Sequence, residues 1–280
     1  NNACVLAHGA EYCPADTILY QIIEKYHLQD NINFLAASIV AKKLTSDAHI
    51  VLVDVKYGEA SAIATYKQAC ELADLLKYMF KEGNVECIIA LTNTHQIIGD
   101  SVGNAVEMLD AIDVLKGKHN MLREVAIRFA VEMMMKADKR LTRKDAYDMA
   151  VSSLDGGSAY KKFLDIVKTQ HGDVKAVEEC TFFAPKEEIV FKADRAGYVG
   201  NINALLMGEL IRRLCVETHN NNIGMVLNVK IGDYVNKGYK ILTLYCENKQ
   251  DVENYIDAIK GCVRLTDLKI KPVNPIKRID

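Results

Sequence analysis

The apolar positions of the chain change period along its length, and the changes mark its elements. "DAHIVLVDVKYG" is a short β-branched run closed by Gly58, which predicts a buried strand over residues 49–55. "TYKQACELADLLKYMFKEG" then sets Ala69, Leu72, Ala73, Leu76 and Phe80 at helical spacing and ends on Gly83. "NVECIIALTN" is a second apolar run. Strand, helix and strand in this order form a βαβ unit, which makes the two strands parallel. Ligands of parallel sheets gather beyond the carboxyl ends of the strands. The polar segments "KYGEAS" (Lys56 to Ser61) and "TNTHQ" (Thr92 to Gln96) are therefore expected to face one crevice.

Helical patterns follow at about 99–116, 120–137, 142–153 and 157–170, the last two separated by the break "SSLDGGS". Met133, Met134 and Met135 read as ordinary core packing. From about residue 174 the texture shifts to short strands and turns in "EIVFKADRAGYVGNIN" and "IGMVLNVKIGDYVNKGYKILTLYCEN". A helix "QDVENYIDAIKGC" and a last strand "VRLTDLKI" complete this part. Gly232, Asp233 and Gly238 lie at turns between β-rich flanks, as in small barrel-like sandwich modules. The predicted class is α/β: a parallel or mixed sheet lobe, followed by a C-terminal α+β subdomain of barrel-sandwich type.

Composition narrows the function classes. With 280 residues, 50% of them hydrophobic and 26% charged, the chain can bury one large or two modest cores. A formal net charge of −2 and scattered Lys and Arg argue against nucleic acid as a partner. The eight cysteines form no CxxC pair and no Cys/His ligand spacing, which points to reduced thiols, a cytoplasmic setting and no structural zinc. No apolar run approaches the roughly 20 residues of a membrane span, so no membrane association is expected. The chain begins "NNACVLAHGAEYCPAD", without Met and almost at once apolar, as a sequence does that starts inside a fold.

Five segments carry a more specific signal: "PADTILY", "AASIVAKKL", "LVDVKYG", "LTNTHQIIGDSVGNAVEMLDAIDVLKG" and "IGMVLNVKIGDYVNKGYKIL". In their order and spacing they resemble the C-terminal two thirds of the pyrimidine-nucleoside phosphorylase and thymidine phosphorylase family. That resemblance implies cleavage of a pyrimidine nucleoside by inorganic phosphate to give free base and pentose 1-phosphate. It implies a homodimer and no required cofactor. It also implies an organisation: residues 1–13 as an entry strand of the α/β lobe, 14–44 as part of a helical base-binding lobe, 45–173 as the α/β lobe, and 174–280 as the C-terminal subdomain.

The resemblance assigns base binding to Ser38 and Lys42, which at i and i+4 share a helix face. Their hydroxyl and ammonium can donate to pyrimidine carbonyl oxygens and stabilise the charge on a departing base. Spacing alone favours a solvated Lys beside a Ser that bonds its own backbone, and it is the resemblance that reverses this. Lys56 is either a strand-end cation for substrate or a surface lysine. Some members of the family bind a monovalent cation, potassium, through backbone carbonyls and one carboxylate. The matching positions are Ile98, Ser101 and Asp110.

Other positions depart from the family. Ile23 stands where the family has a base-contacting Arg, and an aliphatic chain cannot supply a forked donor. In "YGEASAIAT", Ala60 replaces a glycine, Ala62 an aromatic residue and Ala64 a lysine, and Glu59 adds negative charge. His95 falls at an asparagine position with no catalytic role. The family's phosphate loop, Lys-His-Ser-Thr-Gly-Gly, is expected before residue 1, and no such Gly-rich cradle occurs in these residues. No catalytic residue is therefore assigned within the chain. Two readings follow: a phosphorylase, or a catalytically degenerate homologue acting as a binding or partner subunit.

Overall fold

The computed structural model describes residues 2–6, 9–28 and 31–280. The chain divides into two compact units, one built from residues 2–94, 125–150 and 275–280, the other from 95–124 and 151–274. We call them the α/β unit and the β-rich unit. The mixed α/β class expected from the sequence is observed, in small open sheets without a closed barrel. Chain crossings between the units coincide with none of the boundaries expected at residues 13, 44 and 173.

The α/β unit opens with α1 (Pro14–Lys25) and α2 (Ile32–Leu44). Asn31 caps α2 by accepting from the backbone N–H groups of Asn33 and Phe34 at 3.0 and 3.4 Å. β1 (Ile50–Tyr57), α3 (Tyr66–Glu82) and β2 (Glu86–Asn93) form the expected βαβ unit. β1 and β2 are parallel, in a register that sets Tyr57 beside Asn93. α3 starts at a reciprocal capping box between Thr65 and Gln68 and ends at Gly83. Its buried face is Ala69, Leu72, Ala73, Leu76 and Phe80, the five residues picked by periodicity. They pack with Val51, Val53, Val55, Ile89 and Leu91 of the strands. Ala36 and Val40 of α2 belong to the same core, so the helical segment expected as part of a separate lobe is packed within this unit.

Three expectations need correction here. The entry strand over residues 1–13 is not found among the described residues: 2–6 have no regular structure and 10–12 form a turn, while Asn1, Ala7 and His8 lie outside the described residues. β1 is not buried on both faces; Val51, Val53, Val55 and Tyr57 alternate with residues that keep partial exposure, and Lys56 is exposed. The sheet also has a third strand, β10 (Ile276–Ile279), antiparallel to β2 with a register shift between Ile276 and Arg278. The last strand of the chain is thus "IKRI", not "VRLTDLKI".

In the β-rich unit, the helix expected from residue 99 begins later. Ser101 and Val102 form β3, and α4 runs Asn104–Leu115. Gly103 separates them at φ +125°, where a Cβ would lie 2.7 Å from the carbonyl oxygen of Ile223. α5 (Met121–Ala137) and α6 (Arg143–Asp155) follow close to expectation, each with residues in both units, and α7 (Ser158–Thr169) lies in the β-rich unit. After the short α8 (Val174–Glu178), the strands are β4 (Glu187–Lys192), β5 (Gly197–Ile202), β6 (Gly224–Leu227), β7 (Tyr234–Val235), β8 (Lys240–Cys246) and β9 (Val263–Thr266). They make one sheet in the order β3-β6-β8-β4 and another in the order β7-β5-β9. α9 (Ala204–Thr218), absent from the expectation, buries Met207, Leu210, Ile211 and Leu214 in the core between Val199, Ile202, Met225 and Leu244. The expected helix near 250–262 is two short pieces, α10 (Lys249–Val252) and α11 (Ile256–Gly261), joined by a tighter turn. All eight cysteines are free thiols, and burial pushes those of Cys87 and Cys262 up to about 11.

Phe80 is fully buried against both strands of the βαβ unit. Phe80→Ala is expected to destabilise the protein by about 3–5 kcal/mol, read as a lower denaturant midpoint. Val190, 39% exposed at a sheet edge, provides a control whose replacement by Ala should leave the midpoint nearly unmoved.

Candidate functional site

The residues singled out in the sequence fall in three places. The first is the α1–α2 pair. One turn apart on α2, Ser38 and Lys42 meet directly: the Lys42 ammonium donates to Ser38 Oγ at 2.9 Å. The same ammonium lies 3.1 Å from Asp16 Oδ2 on α1, with the Asp16 side chain wholly buried and that of Lys42 23% exposed. Helix pairing builds this cluster, since Asp16 arrives from the first turn of α1 and the other two from the inner face of α2. The cost of burying the Asp16 carboxylate is offset only by a partner of opposite charge. Next along the helix, burial and the Lys42 charge together push Lys43 below the ordinary lysine range, with Asp16 opposing them. Ile23, on α1, is buried.

The second place is the carboxyl end of the parallel strand pair. Thr94 donates its backbone N–H to the Tyr57 carbonyl at 2.8 Å and its hydroxyl to the same oxygen at 3.0 Å. Ser61 Oγ and Thr94 Oγ1 are 2.7 Å apart. The two polar segments are therefore drawn together as the strand order predicted, through hydroxyls and backbone. Lys56 does not reach into this cluster: its ammonium is 2.5 Å from Asp54 Oδ2, and its side chain is half exposed. Asp54 in turn accepts from Thr92 Oγ1 at 2.5 Å. Burial raises the Tyr57 hydroxyl, with a hydrogen bond to Asn93 opposing.

The third place, in the β-rich unit, is the segment Gln96–Asp100. Lys230 reaches it from the turn between β6 and β7. Its ammonium donates to the carbonyl oxygens of Ile97 at 3.3 Å and Ile98 at 3.5 Å, and to that of Gly99. It also lies 3.2 Å from Asp100 Oδ1. Asp110 Oδ1 accepts from Lys118 at 2.8 Å and from Asn120 at 3.0 Å, while Oδ2 accepts from the Asp100 N–H at 2.7 Å. Gly99 makes room for this approach, because a Cβ there would stand 2.6 Å from Asp110 Oδ2. Lys118 and Asn120 also reach Asp100 Oδ2, each at 3.0 Å. Two ammonium groups and two carboxylates thus share one network. Burial works against the Lys118 charge, but its bonds to the two aspartates prevail and raise its pKa. For Asp100 burial is likewise outweighed, by Asn120 and both lysines, and its pKa is lowered. Lys230 is buried enough that its pKa is lowered in spite of Asp100.

The three positions matched to a monovalent cation therefore have protein partners. The Ile98 carbonyl faces the Lys230 ammonium, Asp110 is occupied by three donors, and Ser101 is paired with Val226 in the β3–β6 ladder. This arrangement does not fit an added cation, since an ammonium already sits on the carbonyls. Sequence reasoning quoted Lys230 within "NVKIGDYV" without singling it out; its role depends on a turn that only the fold brings back to residue 97. His95 is exposed beside this segment. Among the described residues, no group of three His, Cys, Asp or Glu side chains could hold a metal ion.

Comparison with known proteins places this architecture. Residues 198–266, covering β5 through β9, match the family model of the pyrimidine nucleoside phosphorylase C-terminal domain. The pyrimidine-nucleoside phosphorylases of Staphylococcus aureus strains bovine RF122 / ET3-1 and USA300 are each 27% identical to the chain over 280 residues. The chain is thus similar, at a distance, to pyrimidine-nucleoside phosphorylases. It spans 64% of the length of these curated relatives, and they match 97% of it. Within this family frame, α1 and α2 carry the two base-binding candidates in contact, while the position matched to the third, the arginine, holds buried Ile23.

Two predictions follow from the charge networks. Lys42→Met removes an ion-pair partner of the buried Asp16 carboxylate and should cost about 2–3 kcal/mol, reduced from a fully buried pair because Lys42 is partly solvated. Adding Asp16→Asn should restore part of that loss, so a double-mutant cycle by chemical denaturation should give a clear coupling energy. For Asp100 the folded pKa is depressed. Its contribution is complete above the unfolded value, near about 4, and is lost as pH falls through the folded one. Asp100→Asn should lower stability at neutral pH by about 1–2 kcal/mol and flatten the acid limb of the pH–stability curve.

Proposed function

We propose that this chain belongs to a pyrimidine nucleoside phosphorylase and supplies the base-binding side of the reaction. In that reaction the bond between the base nitrogen and the anomeric carbon breaks, a phosphate oxygen bonds to that carbon, and the base leaves with the electron pair. The observation that carries the proposal is the Ser38–Lys42–Asp16 cluster. Among the described residues Lys42 meets Ser38 Oγ through one N–H and Asp16 by charge, and an ammonium carries three donors. Ser38 accepts from Lys42, and a hydroxyl that accepts can also donate. A hydroxyl and an ammonium fixed side by side match adjacent acceptor atoms of a pyrimidine ring. Their donation grows stronger as the leaving base gains negative charge, which is the differential binding that lowers a barrier.

The phosphate side is assigned to elements other than those described above. Lys56 is paired with Asp54, and the sequence holds no Gly-rich anion cradle. A homodimer is part of the proposal, and the exposed apolar residues Ile18 and Ile22 of α1, with Tyr26 just beyond its end, support it as surface for a second copy. A cytoplasmic setting is likewise proposed. Among the described residues no helix is long and apolar enough to cross a membrane.

A second reading, a non-catalytic homologue acting as a binding or partner subunit, is favoured by one observation. Ile23 is packed in the interior where the family has an arginine, and Ala62 and Ala64 remove two further family side chains.

Phosphate-dependent cleavage of uridine and thymidine by the full-length protein separates the readings. Under the first, base is released, and Ser38→Ala and Lys42→Ala each lower kcat/KM by about 10²–10³-fold while the fold is kept. Nucleoside binding that raises the melting temperature with no turnover above background would support the second instead.

A further inference from the structure

We infer that the ammonium of Lys230 is the resident cation of the carbonyl turn at residues 97–99, a tethered substitute for a monovalent metal ion, so that this turn holds its shape without potassium. Three consecutive backbone carbonyls converge on one point, and a carboxylate oxygen of Asp100 completes the set. Converging carbonyl dipoles repel one another unless a positive charge sits between them. In this chain the charge comes with the polypeptide.

The lysine is aimed by its own turn. Asp233 accepts from the Lys230 N–H at 2.7 Å, the Asp233 N–H donates back to the Lys230 carbonyl at 3.1 Å, and Gly232 takes φ +98° between them. Buried Gln96 accepts from the Ile231 N–H at 2.9 Å, which fixes the register of the turn against the carbonyl segment. The Leu227 N–H donates to the Asp100 carbonyl at 2.7 Å and pins the other end. The ammonium is thus held by backbone on both sides, and its side chain keeps only 20% of its surface. The neighbouring Asp110 carboxylate is neutralised separately by Lys118, so no uncompensated negative charge is left to recruit an ion. This inference concerns the cation alone and stands apart from the catalytic proposal.

The test compares thermal unfolding of the full-length protein in potassium chloride and in choline chloride at equal ionic strength, with thallium(I)-205 NMR as a direct binding readout. The wild type should melt at the same temperature in both salts and give no bound thallium signal. Lys230→Ala should melt lower, and potassium or ammonium, but not choline, should raise its melting temperature by a few degrees. A potassium-specific stabilisation of the wild type, or a bound thallium signal from it, would overturn the inference. So would a folded Lys230→Ala that responds to potassium no more than the wild type does. Should that variant not fold, Lys230→Arg keeps the charge and should remain indifferent to potassium; a potassium response from it would equally sink the idea.

Discussion

A carboxylate with no access to water must be met by opposite charge, and Asp16 is such a group. Lys42 is its ion-pair partner, which fixes the pairing of α1 with α2 and the position of Ser38 beside that lysine. The same constraint orders the β-rich unit, where Asp110 is met by Lys118, Asn120 and a backbone N–H. In both places the charged groups are held mainly by each other, and the apolar cores hold the elements that carry them. Hydrophobic burial is non-directional. The pairs add direction: they decide which turn of one element faces which residue of another.

What could be read in the sequence follows from the same division. α3 was legible to the residue, because its five apolar positions recur at helical spacing between a cap and a glycine. The parallel pair was legible because two β-branched runs flank that helix. β10 was not, since "IKRI" follows two prolines and becomes a strand only by pairing with β2, far away in sequence. α9 could have been found: Asn203 accepts from the Leu206 N–H as a cap, and Leu206, Met207, Leu210, Ile211 and Leu214 repeat with helical period. Its β-rich surroundings hid it. Gly103 shows the opposite failure, where an uninterrupted pattern suggested one helix and a positive φ split it into strand and helix.

The candidate site divides in a similar way. Ser38 and Lys42 were visible as an i,i+4 pair, but Asp16 was invisible as their partner, because nothing in a linear sequence says which residue of one helix meets the next. Lys230 was hidden for a deeper reason. A lysine in a turn is a common surface feature, and only the return of the chain to residue 97 turns it into a buried cation on three carbonyls.

Ile23 bears most directly on catalytic competence. An arginine beside a base does two things: it donates a planar pair of hydrogen bonds and it adds positive charge where the leaving group becomes negative. Ile23 does neither, and it is buried. What remains is a single ammonium, and Asp16 already balances much of its charge. Under the proposed function, stabilisation of a departing base by this cluster would therefore depend on hydrogen-bond direction more than on net charge. Under that proposal, a ring whose departing charge rests on an oxygen within reach of the Ser38 O–H and a Lys42 N–H would be served by such a site, while one that needs a broad positive field would not. Under the proposed function the substitution narrows the bases the cluster would release, because two short, fixed donors tolerate less displacement of the acceptor than a long guanidinium does.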